Sequence, residues 1–249
     1  MDNISIIPVT AVSRDGKKTP EEISVISEHV LTVIVNEKRL YRLVCTKDRL
    51  KELVYGRLFT DGLIERADDV EKLYFCRHEN EASVFLKKEI LWEKEIETDL
   101  TCCTGNKVYA RADGRKGLRK LPEHDIDPDL VFALADEFGK DTALHGRTGG
   151  SHICILAEKG KINLICEDIG RHNTVDKAAG YAILNDISPE RCMLFTSGRV
   201  PVDMVEKVIA AGFPVLISKS VPTKESAELA KKYGLSLICR AWPDKYDIL

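Results

Sequence analysis

The sequence predicts an α/β fold: a mixed or largely parallel sheet flanked by helices, with a smaller β-rich portion ahead of it. Two observations carry that prediction. Across residues 153–238, short apolar runs alternate with helical segments of about ten residues, the rhythm of strand–helix units that bury a sheet on both faces. Across residues 1–46, branched residues gather in runs separated by charged turns. The scale agrees, since 249 residues with 44% hydrophobic and 31% charged side chains suit one large domain or a core with an appendage. The expected division places the β-rich portion, with one helix, in residues 1–120 and the α/β core in 121–249, the two forming either separate units or one continuous domain.

In order along the chain, residues 23–26 and 31–35 read as strands. Thr46 is positioned to cap a helix running from Lys47 toward Thr60, with Leu50, Leu53, Val54 and Leu58 on an apolar face, Arg57 on its basic rim and Gly62 ending it. Segments 70–76 and 82–97 alternate apolar and charged residues and predict two half-exposed strands. Residues 107–120 hold six cations against Asp113, with glycines between them; this is a solvated linker or a phosphate-holding arm. Asp127-Pro128-Asp129 begins a helix that Gly139 closes. Strands follow at 153–156, 162–166, 193–195, 214–217 and 235–238, with helices at 174–184, 203–211 and 223–233.

The formal charge of −3 supplies no global field to draw the protein onto nucleic acid or an anionic membrane, so neither is expected as a partner. No apolar run approaches the roughly 18 residues of a spanning helix, and Met1-Asp2-Asn3 lacks a basic leader, which predicts a cytoplasmic protein. Of eight cysteines, Cys45, Cys154, Cys166, Cys192 and Cys239 lie in or beside apolar runs as small hydrophobes, and a reducing compartment fits them.

Cys102 and Cys103 differ: Thr101-Cys102-Cys103-Thr104-Gly105 is polar and precedes the cationic run, which lowers a thiol pKa and favours the nucleophilic thiolate. A reactive thiol on a mobile loop is the expectation. The chain has no CxxC and no His-x-Glu followed by Pro-Cys-x-x-Cys, so no metal site and no intrinsic zinc are expected. A bridge between neighbouring cysteines closes a strained ring and is disfavoured as a permanent bond.

Ligands of open parallel sheets bind beyond the carboxyl ends of the strands. The loops there read Glu167-Asp168-Ile169-Gly170-Arg171-His172-Asn173, Ser197-Gly198-Arg199 and Ser218-Lys219-Ser220-Val221-Pro222-Thr223. Arg171, Arg199 and Lys219 supply charge for a phosphorylated ligand, and the glycines admit close backbone approach. The plainer reading of each is capping, by Asn173 or Thr174 and by Thr223. Thr148-Gly149-Gly150-Ser151-His152 adds a glycine turn before a strand; His152 and His172 are acid/base candidates or, more commonly, structural hydrogen-bonding residues.

These strings, together with Asp176-Lys177, Val35-Asn36, Cys45-Thr46 and Asp61-Gly62-Leu63-Ile64, resemble the formate dehydrogenase accessory sulfurtransferase (FdhD) family over nearly all of the chain after about Glu28. The resemblance implies a cytidine-deaminase-like fold without zinc chemistry. It implies that persulfide sulfur from a cysteine desulfurase is delivered to the molybdenum or tungsten bis-pterin guanine dinucleotide cofactor of formate dehydrogenase. The carrier it implies is Cys103, with Cys102 second; Thr104 stands where glycine is common. It places cofactor contacts at Gly149, His152, Asp168, Arg171, His172, Ser197, Gly198, Arg199, Ser218, Ser220 and Thr223. A C-terminal contact segment resembling Phe-Cys-Lys-Pro-Gly-Arg after the last strand falls on Arg240, Ala241, Trp242, Pro243, Asp244 and Lys245, with Arg240 at the aromatic position and Asp244 at the glycine.

A homodimer is the expected assembly for an α/β surface of this size. The main alternative is a non-covalent cofactor-binding chaperone for formate dehydrogenase maturation. A metal-dependent deaminase-type enzyme and a redox sensor built on Cys102 and Cys103 are further alternatives.

Overall fold

A computed structural model describes residues 3–90, 92–95, 106–107, 109–111, 118–140 and 142–249. Strands β1 (Ile4–Val12) and β2 (Lys18–Ile26) form an antiparallel two-stranded ribbon. Strands β3 (His29–Val35) and β4 (Lys38–Cys45) are joined through Asn36 and Glu37, at φ 45° and 67°, the two-residue turn whose twist matches an antiparallel pair. With β5 (Val70–Phe75), β6 (Glu81–Leu86) and β8 (Asn106–Lys107) they make a five-stranded sheet in the order β5-β6-β3-β4-β8.

The segment 82–97 is not one strand. Alternation fails at the exposed run Lys87-Lys88-Glu89, β6 ends at Leu86, and β7 (Trp92–Glu95) pairs with β9 (Tyr109–Arg111) in a separate ribbon. Of the cationic run expected between 107 and 120, only Lys107, Tyr109–Arg111 and residues 118–120 are among the described residues.

Helix α1 (Leu50–Thr60) begins later than the sequence suggested, and Thr46 does not cap it. Arg49 stands at the N-cap in the left-handed region, while the Thr46 hydroxyl is drawn to Asp168 at 3.2 Å, 122 residues along the chain. Helix α2 (Pro128–Phe138) has the expected start: the Asp127 carboxylate accepts from the N–H groups of Asp129 (3.0 Å) and Leu130 (3.4 Å), Pro128 opens the first turn, and Gly139 follows. A single helical turn, α3 (His145–Thr148), precedes the larger sheet.

That sheet runs β11-β10-β12-β13-β14-β15, where β10 is His152–Glu158, β11 Lys161–Asp168, β12 Cys192–Thr196, β13 Val215–Ser218, β14 Ser236–Trp242 and β15 Lys245–Ile248. Only β12, β13 and β14 are mutually parallel. The first two strands are antiparallel because Lys159 and Gly160, at φ 50° and 75°, turn the chain in two residues, and a parallel connection needs a crossover many times longer. The architecture is therefore mixed rather than largely parallel. At the far edge β14 continues past residue 238 to Trp242 and pairs with β15, so the segment from Arg240 to Lys245 is the end of one strand, a turn and the start of another, not a tail after the last strand.

Helices α4 (Arg171–Leu184), α5 (Val202–Ala210) and α6 (Lys224–Tyr233) cover one face of this sheet over Cys154, Leu156, Leu194, Leu216 and Leu237. Helix α2 covers the other through Leu130, Val131 and Leu134 against Ile155, Phe195 and Ile217. Helix α1 covers the five-stranded sheet with Leu53, Val54 and Leu58 on Leu31, Val33 and Leu43. The two helical layers meet where α1 crosses α4 at glycines: a Cβ at Gly56 would stand 1.7 Å from the Asp176 carbonyl oxygen, and one at Gly180 1.9 Å from that of Glu52. No helix of the described residues is long and apolar enough to cross a membrane.

Candidate functional site

Because β10 runs antiparallel to both of its neighbours, its beginning lies between the carboxyl end of β12 on one side and the end of β11 on the other. This topology gathers the segments 148–152, 167–173, 197–199 and 218–223 along one end of the sheet. Hydrogen bonds stitch them in sequence. The Ser197 hydroxyl accepts from the Ile153 N–H (3.0 Å) and lies 3.3 Å from His152 Nδ1. The buried Ser218 hydroxyl donates to the Gly198 carbonyl (2.9 Å) and accepts from the Ser220 N–H (3.0 Å). The Arg240 N–H donates to the Ser220 carbonyl (3.2 Å), which ties the C-terminal hairpin to the same rim.

Beneath the rim sits a fully buried pair. Lys177 Nζ donates to Asp168 Oδ2 (2.7 Å), the Thr46 hydroxyl (2.8 Å) and the Glu167 carbonyl (3.0 Å), which uses all three of its N–H groups. Asp168 also accepts from the N–H groups of Thr46 (3.1 Å) and Gly170 (2.9 Å) and from Asn173 Nδ2 (2.8 Å). Its neighbour Glu167 accepts from the Thr142 and Ser151 hydroxyls (2.7 and 3.1 Å) and the N–H groups of Leu144 (2.9 Å) and His145 (2.7 Å). The two acids thus act inward. Asp168, expected to touch a cofactor, is enclosed by protein donors and instead anchors the start of α4 to β4 and β11.

The capping readings divide. Gly170, not Asn173 or Thr174, is the N-cap of α4, and the Thr174 hydroxyl donates back to the Arg171 carbonyl at 2.7 Å. Thr223 does cap α6, accepting from the Ser226 N–H at 3.2 Å, so its hydroxyl is committed to the helix. Gly149, at φ 62°, closes α3 and is exposed.

Four expected residues face the rim. The stem of Arg171 lies on Gly198, where a Cβ would stand 3.1 Å from the Arg171 Cβ, so a bare backbone at 198 is what admits the arginine. Arg171 Nε is buried without a hydrogen-bond partner. Arg199 is exposed, and His152 is half-buried. Burial, reinforced by the nearby Arg171 charge, lowers the His152 pKa.

His172 points elsewhere. It is buried 3.0 Å from Asp203, and burial lowers its pKa despite that carboxylate. The hydrogen bond from His172 in turn holds the Asp203 carboxyl below the usual range. Both residues line a cleft of about 860 Å³ that continues along α5 past Lys207 to Gly212 and is walled by residues 118–122.

At the cleft floor lies a network that the sequence reading missed. Asp176 lies 2.6 Å from Lys207 Nζ and 3.8 Å from Arg57, and accepts from Thr60 (2.8 Å); Arg57 pairs with Asp61 (3.1 Å), which accepts from Tyr41 (2.7 Å). Burial lowers the Lys207 pKa, opposed by Asp176, whereas for Arg57 the two carboxylates outweigh burial and raise it. Asp61 and Asp176 stood within the recognised strings, but Arg57 read as a rim residue and Lys207 carried no local signal.

In the hairpin, Ala241 is buried, and Trp242, Pro243, Asp244 and Lys245 are exposed. Arg240, at φ 47°, pairs with Asp247. Cys102 and Cys103 lie outside the described residues. Among the described residues no group of three or more His, Cys, Asp and Glu side chains is arranged to hold a metal ion.

Comparison with known proteins bears on the family and the fold. The FdhD/NarQ family model matches residues 26–249. Sulfur carrier protein FdhD of Bacillus pumilus (strain SAFR-032) is 30% identical over 233 residues, covering 90% of this chain and 87% of the relative. The protein of the same name from Thermoplasma acidophilum is 32% identical over 204 residues, covering 79% and 72%. A crystal structure of a Desulfotalea psychrophila protein, described as a formate dehydrogenase accessory protein, superposes with a TM-score of 0.80 at 21% identity, covering 100% of this chain and 97% of that one; this likeness is one of fold.

Proposed function

The chain belongs to the FdhD/NarQ family, and from that premise we propose that it is a sulfur carrier serving the maturation of formate dehydrogenase. The observation that carries the reading is the convergence of Arg171, Ser197-Gly198-Arg199 and Ser218-Lys219-Ser220 on one rim of the sheet, as an anionic ligand requires. In this reading the ligand is the molybdenum or tungsten bis-pterin guanine dinucleotide, bound as a substrate. The fold is of the cytidine-deaminase type put to a use without zinc, and the protein works as a cytoplasmic homodimer.

The sulfur enters by thiol exchange. The Cys103 thiolate attacks the outer sulfur of a cysteine desulfurase persulfide; a new S–S bond forms at Cys103, the desulfurase S–S bond breaks, and the desulfurase cysteine leaves as a thiolate. Cys102 is the second candidate for the carrier. The sulfur gained is zero-valent, so its arrival on the metal as a terminal sulfide consumes two electrons from a thiol reductant, which departs as a disulfide.

Incubation with a desulfurase and cysteine, followed by mass spectrometry, tests the carrier step. The wild-type chain should gain a mass of about one sulfur, as a reactive thiolate predicts, and the Cys102→Ala, Cys103→Ala double variant should not. An adduct that survives in the double variant removes the assignment. Full formate dehydrogenase activation by that variant would favour the non-covalent chaperone. For the rim, calorimetry with GDP should show binding that Arg171→Ala and Arg199→Ala weaken; unchanged binding rejects the rim.

A further inference from the structure

The β1–β2 ribbon belongs to neither of the larger sheets: among the described residues it pairs with no other strand. Its base is tied to the body, where Asn3 Oδ1 accepts from the Lys47 N–H (2.8 Å) and Ile26 lies so close to Gly150 that a Cβ there would stand 3.3 Å from Ile26 Cδ1. Beyond the base, residues 5–8 and 20–23 are exposed. Of the nine large hydrophobic side chains exposed among the described residues, the ribbon carries four, Ile6, Ile7, Val12 and Ile23, so exposed apolar surface is concentrated on it. A two-stranded ribbon is at best marginally stable in water, and nine-residue strands of this composition call for a covering surface.

The strand pairing selects a face rather than an edge. Backbone bonds from the Ser27 N–H to the Asn3 carbonyl and from the Ser13 N–H to the Lys17 carbonyl bracket the ladder and make the odd-numbered residues its hydrogen-bonded pairs. The even-numbered residues turn their backbone nitrogens outward, and on each strand one of them is a proline, Pro8 and Pro20. Both edges are thereby blunted against a further strand. The odd-numbered face carries no such guard. There Ile7 lies directly opposite Ile23, the two 40% and 43% exposed, beside Val9, Ala11 and Val25, with Glu21 its one charge.

Two strands of this length make a surface ~30 Å long and ~10 Å wide, so one face offers ~300 Å². Laid on an unrelated protein, the face and its bed together bury ~600 Å², the size of a chance crystal contact. A two-fold pair in which each copy lays its arm on the other buries twice that, ~1,200 Å², where stable interfaces begin, and it closes with no arm left over. We infer that the Ile7–Ile23 face is a dimer contact: the arm of one copy docks on a second copy of this chain and receives that copy's arm in return. The inference rests on the homodimer reading and adds the surface that makes it. Residues 4–25 of the arm lie ahead of residues 26–249, which carry the family match.

Sedimentation equilibrium of the full chain over a range of concentrations reads the association. The wild-type chain should be a dimer, and Ile7→Lys with Ile23→Lys should raise its dissociation constant at least ~100-fold, about tenfold for each buried anchor lost. Ile6→Lys with Val12→Lys puts the same charges on the opposite face of the same ribbon and should leave the constant unchanged. A dimer that Ile7→Lys with Ile23→Lys does not weaken overturns the docking face and leaves the homodimer standing. Equal or greater weakening by the even-numbered pair also overturns it, because the loss then comes from disturbing the ribbon and not from its odd-numbered face. A wild-type chain that is monomeric throughout overturns the homodimer and the docking face with it.

Discussion

Replacing Lys177 by methionine keeps the volume of the side chain and removes its charge from a site with no solvent. Asp168 then retains four donors, the N–H and hydroxyl of Thr46, the N–H of Gly170 and Asn173 Nδ2, but no counter-charge. Breaking a buried pair from one side costs about 3–5 kcal/mol, and the surviving hydrogen bonds place this case near the lower end, at ~3 kcal/mol. A domain stable by roughly 5–15 kcal/mol stays folded at 25 °C, so urea unfolding can read the loss as a shift in midpoint at constant slope.

The second arm is Asp168→Asn with Lys177→Met, which removes both charges. The double variant should recover much of the loss, with a coupling well above the ~0.5 kcal/mol seen for independent sites. Because Asp168 holds the first turn of α4, and with it Arg171, Lys177→Met should also weaken GDP binding. A loss under ~1 kcal/mol, or a coupling within the additive range, would refute the reasoning that the pair is an unsolvated anchor.

Two more predictions follow from burial. Gly180→Ala should destabilise the fold by at least ~1–3 kcal/mol despite the better helix propensity of alanine, because the added methyl meets the Glu52 backbone where α1 crosses; a rise in melting temperature would show that the two helices can separate at no cost. For pH, His172 has its folded pKa depressed by burial, among Asp203, Lys207 and Arg171. Its unfolded form takes up a proton first as pH falls through about 6.5, so stability is lost from there down to the folded value and is unaffected above it. His152 shifts in the same direction. Melting curves from pH 8 to 5 should therefore fall less steeply below 6.5 in His172→Gln than in the wild type, and identical slopes would count against a neutral, buried His172.

Much of the fold was legible in the sequence because its signals are local. A cap is read within one helical turn, as at Asp127-Pro128-Asp129, and a strand within a few branched or apolar residues, as in β3, β12 and β13. The reading failed where a distant partner outbid the local one. Thr46 serves Asp168 rather than its own helix, and Gly170 rather than Asn173 or Thr174 starts α4 because Asp168 occupies the Gly170 N–H and the Asn173 amide. The antiparallel start of the larger sheet could have been read from the brevity of the 157–161 connection.

The sequence by itself determined the element types, the family strings and the set of loops that meet at the rim. Only the tertiary structure decided which members of those strings face a ligand and which face the core: Asp168 and Glu167 turn inward, Arg171 lies over Gly198, and Lys219 rests between Phe138 and Trp242. The reason is one of range. Propensity and capping act across a few residues, whereas the Asp176–Arg57–Lys207 network and the Lys219 sandwich join residues from elements far apart in the chain, and those contacts exist only once the sheets and helices have packed.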